Sequence, residues 1–135
     1  MPVKPADKRS QPCPCGQIKT VHKPQLFGDC CAPLLAGHAV ADTAQQLMRS
    51  RYTAYTLGDM AYVANTWHAS TRPADLTPDP FTQWLGLEVK GHHTEGDHAE
   101  VSFVARYRVA GKGQRMTERS RFVREGGRWW YVEAL

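Results

Sequence analysis

Four cysteines carry the clearest chemical signal in this sequence, because all of them lie in one short segment. Cys13 and Cys15 form one close pair, and after a spacer of fourteen residues Cys30 and Cys31 form a second. Clustered thiols in a chain without a visible export signal bind metal more often than they form disulfides. Thiolates are preferred ligands of tetrahedral Zn²⁺. The spacing therefore predicts a structural zinc site with Cys13, Cys15, Cys30 and Cys31 as its four ligands.

The residues beside the cysteines favour two tight loops around an ion. Pro14 stiffens the first loop, and Gly16 lets the backbone turn beneath the metal. So small a segment has little core of its own, and a bound metal is a common way to hold such a segment together. Three alternatives stay open: a redox dithiol or disulfides, free thiols, or replacement of one thiolate by His22 or His38.

The positive charge of the chain is concentrated near its N-terminus. The formal net charge is +4 at pH 7, and residues 1–40 hold five Lys or Arg against two Asp. The remaining residues are nearly balanced, which argues against nucleic acid as the main partner. No apolar run is long enough to span a bilayer and no apolar leader follows Met1, so we expect a cytoplasmic protein without membrane contact.

The middle of the chain predicts two helices. Side chains recur at helical spacing over residues 39–57, and Gly58 follows as a C-terminal cap. The face that they form consists of Ala44, Leu47, Met48, Arg51 and Tyr55. Asp59 can cap a second helix over residues 60–67, after which the prolines of residues 70–80 indicate a loop.

The last third of the chain predicts four strands by its alternation of apolar and polar side chains. They cover residues 85–93, 99–109, 115–124 and 128–132, and glycine-containing turns separate them. Helices followed by an antiparallel meander predict an α+β fold, in which the helices pack on one curved four-stranded sheet.

Several segments resemble known families. The Cys-Pro-Cys-Gly sequence at residues 13–16, with Cys30-Cys31, resembles the SEC-C zinc motif, although the spacer between the pairs is longer than usual. The uncharacterised bacterial YchJ family is similar in residues 47–55, 66–68, 71–73 and 84–87 and in the terminal Gly-Arg-Trp-Trp-Tyr. The resemblance covers nearly the whole chain after residue 11. It implies a cone-shaped, cystatin-like domain similar to nuclear transport factor two, a fold that holds enzymes and binding proteins alike.

These observations divide the chain into three expected parts. Residues 1–11 are expected to be a disordered basic tail, and residues 12–37 a SEC-C-like zinc knuckle. Residues 38–135 are expected to be the domain similar to nuclear transport factor two.

Six residues are candidates for a pocket in the cup of the sheet: Arg51, Tyr55, Trp67, His68, Arg72 and Glu118. Arg51 lies on an apolar helix face, where a buried guanidinium needs an acceptor, and Glu118 is a plausible partner. His68 could act as a general acid or base, although no carboxylate lies near it in sequence. Each of these residues also has an ordinary structural interpretation, as a core aromatic, an ion pair or a loop anchor.

Other motifs add little. His92, His93 and His98 flank a predicted turn, where exposed histidines are commoner than a second metal site. No nucleophile elbow, phosphate loop or dinucleotide fingerprint is present, and no catalytic residue can be assigned.

Three functions are compatible with these features. The favoured one is a zinc-stabilised binding or adaptor protein, whose knuckle docks on a protein partner and whose cup holds a small ligand or peptide. The second is a cofactor-free isomerase or hydrolase that uses His68 with Glu118 and Arg51. The third is nucleic-acid or ribosome contact through the basic N-terminus. The sequence allows a monomer or a homodimer.

Overall fold

The computed structural model describes residues 8–135. The elements in chain order are β1 (Ile18–Thr20), β2 (Lys23–Pro24), α1 (Ala32–Leu35), α2 (Ala44–Leu57), α3 (Met60–Asn65), β3 (Thr82–Glu95), β4 (His98–Val109), β5 (Lys112–Glu125) and β6 (Arg128–Ala134). Residues 1–7 of the expected tail lie outside the described residues, and Lys8–Ser10 form a 3₁₀ turn. None of the helices in this described part is long and apolar enough to cross a membrane.

The four long strands form one antiparallel sheet in the order β3-β4-β5-β6, which confirms the predicted meander. Each strand is longer than the alternation predicted, because polar residues at the strand ends continue the pairing without an apolar signal. The register of β3 against β4 shifts between Trp84 and Gly86 and again between Val89 and Gly91. Such irregularities bend a strand and increase its twist, and they curve the sheet into a cup.

The first long helix begins later than its apolar spacing predicted. Residues 39–43 are not helical, and α2 starts at Ala44 because the Thr43 side chain accepts a hydrogen bond from the Gln46 amide at 3.0 Å. A threonine followed three residues later by glutamine is a helix-start signal that the spacing argument overlooked. The predicted end is confirmed, since Gly58 adopts the left-handed conformation.

The second helix ends two residues earlier than predicted. Asp59 caps α3 as expected, but the helix stops at Asn65. The backbone then pairs with β6: the amide of His68 donates to the carbonyl of Tyr131 at 2.7 Å, and the amide of Tyr131 donates to the carbonyl of Thr66 at 2.9 Å. Because the backbone of residues 66–68 pairs with β6, the helix ends before Trp67.

The core lies between α2 and the concave face of the sheet. It includes Leu47 and Tyr52 of α2 and the strand residues Val101, Phe103 and Phe122. Cys13, Cys15 and Cys31 are buried members of the same core. The knuckle therefore shares the core of the main domain rather than depending on a small core of its own.

The knuckle also touches the sheet directly through its backbone. Gly16 has a φ of +75°, and a Cβ at this position would lie 3.0 Å from the carbonyl oxygen of Leu87. Only glycine satisfies both the left-handed turn and this close approach. The loop of the first cysteine pair thus rests against β3.

Candidate metal centre and ligand cup

The four predicted metal ligands lie together in space. Their Sγ atoms are all within 4.8 Å of one another. The Sγ atom of Cys30 is 3.6 Å from that of Cys15 and 3.9 Å from that of Cys31. Four thiolates at about 2.3 Å from a tetrahedral Zn²⁺ lie about 3.8 Å from one another, which matches this spacing. The cysteines are free thiols, and the donor set fits a closed four-thiolate metal site.

Each cysteine pair is carried by a tight turn. After Cys13, the turn closes through a hydrogen bond from the Gly16 amide to the Cys13 carbonyl at 3.1 Å. The second pair follows a 3₁₀ turn over Phe27–Asp29 and leads directly into α1. The long spacer between the pairs folds into the β1–β2 hairpin, which returns the chain so that the Cys13 amide can donate to the Gln25 carbonyl. The extra spacer length is therefore taken up by this hairpin.

Two side chains of α2 hold the cysteine loops. The hydroxyl of Thr53, which is fully buried, donates to the Sγ atom of Cys31 at 3.3 Å and lies 3.8 Å from that of Cys13. Arg49 donates from Nη1 to the carbonyl of Cys15 at 2.8 Å, and its buried Nε has no hydrogen-bond partner. A cation here offsets the negative charge of a thiolate cluster. Sequence reasoning missed both residues, although their spacing of four places them on one helix face.

Crowding makes the four thiols unequal. The interaction with Cys15 lowers the pKa of Cys13 far below its ordinary value, whereas the interaction with Cys13 raises the pKa of Cys31. Thiolates this close repel one another, and some thiols retain their protons unless a cation compensates the charge. A divalent metal would supply that compensation and release the protons.

The histidines do not contribute to this cluster. Among residues 8–135, the four cysteines are the only group of three or more Cys, His, Asp or Glu side chains placed to hold a metal, so neither His22 nor His38 joins them. His92, His93 and His98 form no such group around the β3–β4 turn. The nearest carboxylate to His93 belongs to the exposed Glu95, at 3.8 Å.

A separate cavity of about 260 Å³ lies between α2 and the concave face of the sheet, and we call it the cup. Three of the six candidate pocket residues line it: Arg51 and Tyr55 of α2 and Glu118 of β5. Its remaining walls are mostly apolar or aromatic and include Trp84, Met116 and Tyr131, which sequence reasoning did not single out. The alternation of side chains along each strand, which places these residues on the inner face of the sheet, was the sequence signal that could have identified them.

Arg51 does not pair with Glu118 as expected. Its side chain is only 3% exposed, and its Nη1 donates to the carbonyl of Val63 at 2.8 Å and to the hydroxyl of Thr66 at 2.7 Å. The guanidinium also lies over the ring of Tyr131, with 4.3 Å between its central carbon and the ring centroid. The carboxylate of Glu118 instead accepts a hydrogen bond from Ser120 at 2.8 Å.

Burial also changes the ionisation of groups in the cup. Desolvation lowers the pKa of Arg51 from its ordinary value, and it raises the pKa of Tyr131 to about 12. Burial likewise raises the pKa of Tyr55. Both phenols are therefore neutral near pH 7 and can donate hydrogen bonds into the cup.

The other three candidates lie outside the cup. The ring of Trp67 packs on the ring of Tyr131 with a centroid distance of 4.9 Å, behind the cup wall. His68 hydrogen-bonds the hydroxyl of Ser70 at 2.6 Å and the carboxylate of Glu125 at 2.7 Å. Arg72 lies in the following turn, where its amide donates to the His68 carbonyl. The carboxylate partner of His68 was missed because it lies on the distant β5–β6 hairpin.

Replacement of Thr53 by valine tests its role beside the cysteines. Valine keeps the shape of the side chain but removes the hydrogen bond to Cys31, so we expect metal affinity to fall about tenfold. Competition with a chromophoric chelator measures the affinity.

Thr56→Val is the matched control for this experiment. The Thr56 hydroxyl donates only to the carbonyl of Thr53 at 2.7 Å, so its loss should leave metal affinity unchanged. Equal affinities for the two variants would contradict a role of the Thr53 hydroxyl at the metal centre.

Comparison with known proteins bears out the family resemblance. The family described as "YchJ, middle NTF2-like domain" matches residues 43–134. A UPF0225 protein of Cupriavidus pinatubonensis is 55% identical over 115 residues, which cover 84% of this chain and 76% of the relative. A UPF0225 protein of Ralstonia nicotianae is 49% identical over 143 residues, with 96% and 94% of the two chains covered.

Two solved structures are also similar to this chain over most of its length. A SEC-C motif containing protein from Rhodopseudomonas palustris has a TM-score of 0.76 at 34% identity, with 84% of this chain and 94% of that chain covered. A SEC-C motif containing protein from Psychrobacter arcticus has a TM-score of 0.79 at 30% identity, with 93% and 82% covered. The chain belongs to the YchJ family.

Proposed function

We propose that this protein is a zinc-stabilised binding protein, in which Cys13, Cys15, Cys30 and Cys31 hold one structural Zn²⁺. The observation that carries this proposal is the set of four Sγ atoms within 4.8 Å of one another. Four protein ligands leave no open position for water or substrate, so such a zinc is structural rather than catalytic. Both similar solved structures are described as SEC-C motif containing proteins, which supports the proposal.

Elemental analysis of freshly purified protein tests the metal. We expect one zinc per chain, because four thiolates form a complete tetrahedral shell. A thiol-reactive dye should label no cysteine rapidly until a chelator removes the zinc, and four thereafter. A metal-free protein with two disulfides would contradict the proposal, and so would a protein that holds iron in place of zinc.

The second part of the proposal is that the cup binds a small ligand. It combines apolar walls with a few polar groups, which is the usual composition of a ligand site. The alternative of a cofactor-free isomerase or hydrolase has less support, because its expected base, His68, lies outside the cup. The nucleic-acid alternative rests largely on the basic N-terminus and stays a prediction, as does the choice between a monomer and a homodimer.

The third part of the proposal is that the knuckle docks on a protein partner through the β1–β2 hairpin. The cysteines face inward against α2, whereas both strands of the hairpin are exposed to solvent. Ile18 and Val21 are 60% and 81% exposed, and Lys19 and Lys23 flank them. Exposed apolar side chains beside cations are typical of a docking surface for an acidic protein.

Val21→Ser should remove this docking without disturbing the fold. Tagged wild-type protein and the variant are each crosslinked in a cell extract and purified through the tag. The amounts of crosslinked partner recovered with the two proteins are then compared. Val40→Ser is the matched control, because Val40 is 55% exposed but lies outside the hairpin. We expect Val21→Ser alone to lose its partners, and equal recovery with all three proteins would contradict docking through the hairpin.

A further inference from the structure

Arg51 and Glu118 face the same cavity without forming an ion pair. No nitrogen of Arg51 lies within 4.0 Å of a carboxylate oxygen of Glu118, although both residues line the cup. The two hydrogen bonds of Arg51 both use Nη1 and go to neutral acceptors, Val63 and Thr66. Glu118 receives one hydrogen bond, from the neutral hydroxyl of Ser120. The cup therefore holds one cation and one anion, each without a charged partner among the described residues.

The buried guanidinium of Arg51 has an energetic cost that a ligand can offset, whereas Glu118 is only partly buried. A buried charge is expensive unless it is paired and fully hydrogen-bonded. The rings of Tyr131 and Trp67 compensate the guanidinium in part, at 4.3 Å and 5.0 Å from their centroids. The Nε and Nη2 groups of Arg51 have no acceptor among the described residues, so they are available to a carboxylate.

The size and walls of the cup restrict the rest of the ligand. Its volume of about 260 Å³ corresponds to about nine liquid water molecules and lies just below the range of common ligand pockets. Trp84 packs against Tyr55 with a centroid distance of 6.2 Å. Together with Met116, these side chains present apolar surface to the cavity. A small molecule with an apolar or aromatic body fits this space.

We propose that the cup binds a small zwitterion, a free amino acid with an apolar or aromatic side chain. Its carboxylate pairs with the guanidinium of Arg51, and its ammonium group pairs with the carboxylate of Glu118. The apolar side chain lies against Trp84 and Met116. The inference rests on the proposed role of the cup as a ligand site and names the chemical class of the ligand.

A singly charged ligand satisfies only half of this site. A simple carboxylate compensates the charge of Arg51 but adds a second anion beside Glu118. A simple amine compensates the charge of Glu118 but adds a second cation beside Arg51. Like charges in a poorly solvated cavity repel strongly. The zwitterion supplies the opposite charge to each residue and leaves the net charge of the cup unchanged.

Titration with free phenylalanine and two singly charged analogues tests the inference. The chemical shift of the Trp84 indole proton, assigned by substitution, reports binding in the cup. N-acetylphenylalanine lacks the ammonium charge, and phenylalanine amide lacks the carboxylate. We expect phenylalanine to bind at least about tenfold more tightly than either analogue, because each loses a charge-assisted hydrogen bond.

Glu118→Gln assigns the ammonium contact to one residue. The variant keeps the shape of the side chain and its ability to accept from Ser120. We expect it to lose the preference for phenylalanine over N-acetylphenylalanine while it keeps the preference over phenylalanine amide. Glu88→Gln is the matched control, since Glu88 is exposed on the opposite face of the sheet, and its binding should equal that of wild type.

The possible outcomes separate this inference from the proposed function. If an analogue binds in the cup as tightly as phenylalanine, the inference that the cup selects a zwitterion is wrong, but the cup remains a ligand site. If leucine, methionine and phenylalanine and both analogues leave the Trp84 signal unshifted at millimolar concentration, the zwitterion is overturned. If a broad fragment library also leaves it unshifted, the proposed role of the cup fails as well.

Discussion

The packing of the cysteine cluster against helix α2 is the constraint on which the rest of the structure depends. Cys13, Cys15 and Cys31 are buried in the same core as Leu47 and Phe122, and the hydroxyl of Thr53 contacts the cluster directly. Thiols this close need a cation to become thiolates together. A bound metal therefore stabilises more than the knuckle, because the same side chains complete the core between the helix and the sheet.

Helix α2 connects the two candidate sites through its two faces. Arg49 and Thr53 hold the cysteine loops, whereas Arg51 and Tyr55, each two residues further along, line the cup. Side chains two positions apart point in different directions on a helix, so a single element serves both sites. A shift of α2 after metal loss would move the guanidinium of Arg51 as well as the hydroxyl of Thr53.

Local sequence patterns predicted helices α2 and α3, the four-stranded sheet and the clustering of the cysteines, but not the β1–β2 hairpin. Alternation, helical spacing and clustered thiols could be predicted because they are signals within a few residues. The partners of buried charges were harder to predict. Arg51 donates to Val63 and Thr66 rather than to Glu118, and His68 pairs with Glu125 of the distant strand β5. Both sets of partners depend on how the chain leaves helix α3 and pairs with β6. That geometry is set by tertiary packing and has no local sequence signal.

Amide hydrogen exchange with and without zinc tests most directly whether the metal centre is part of the common core. If it is, chelation should reduce protection along α2 from Leu47 to Thr53 and in the strand residues Val101 and Phe103, in addition to the cysteine loops, because these residues share one core. Loss of protection confined to residues 11–35, with α2 and β4 unchanged, would contradict the account and show that the knuckle is an independent unit.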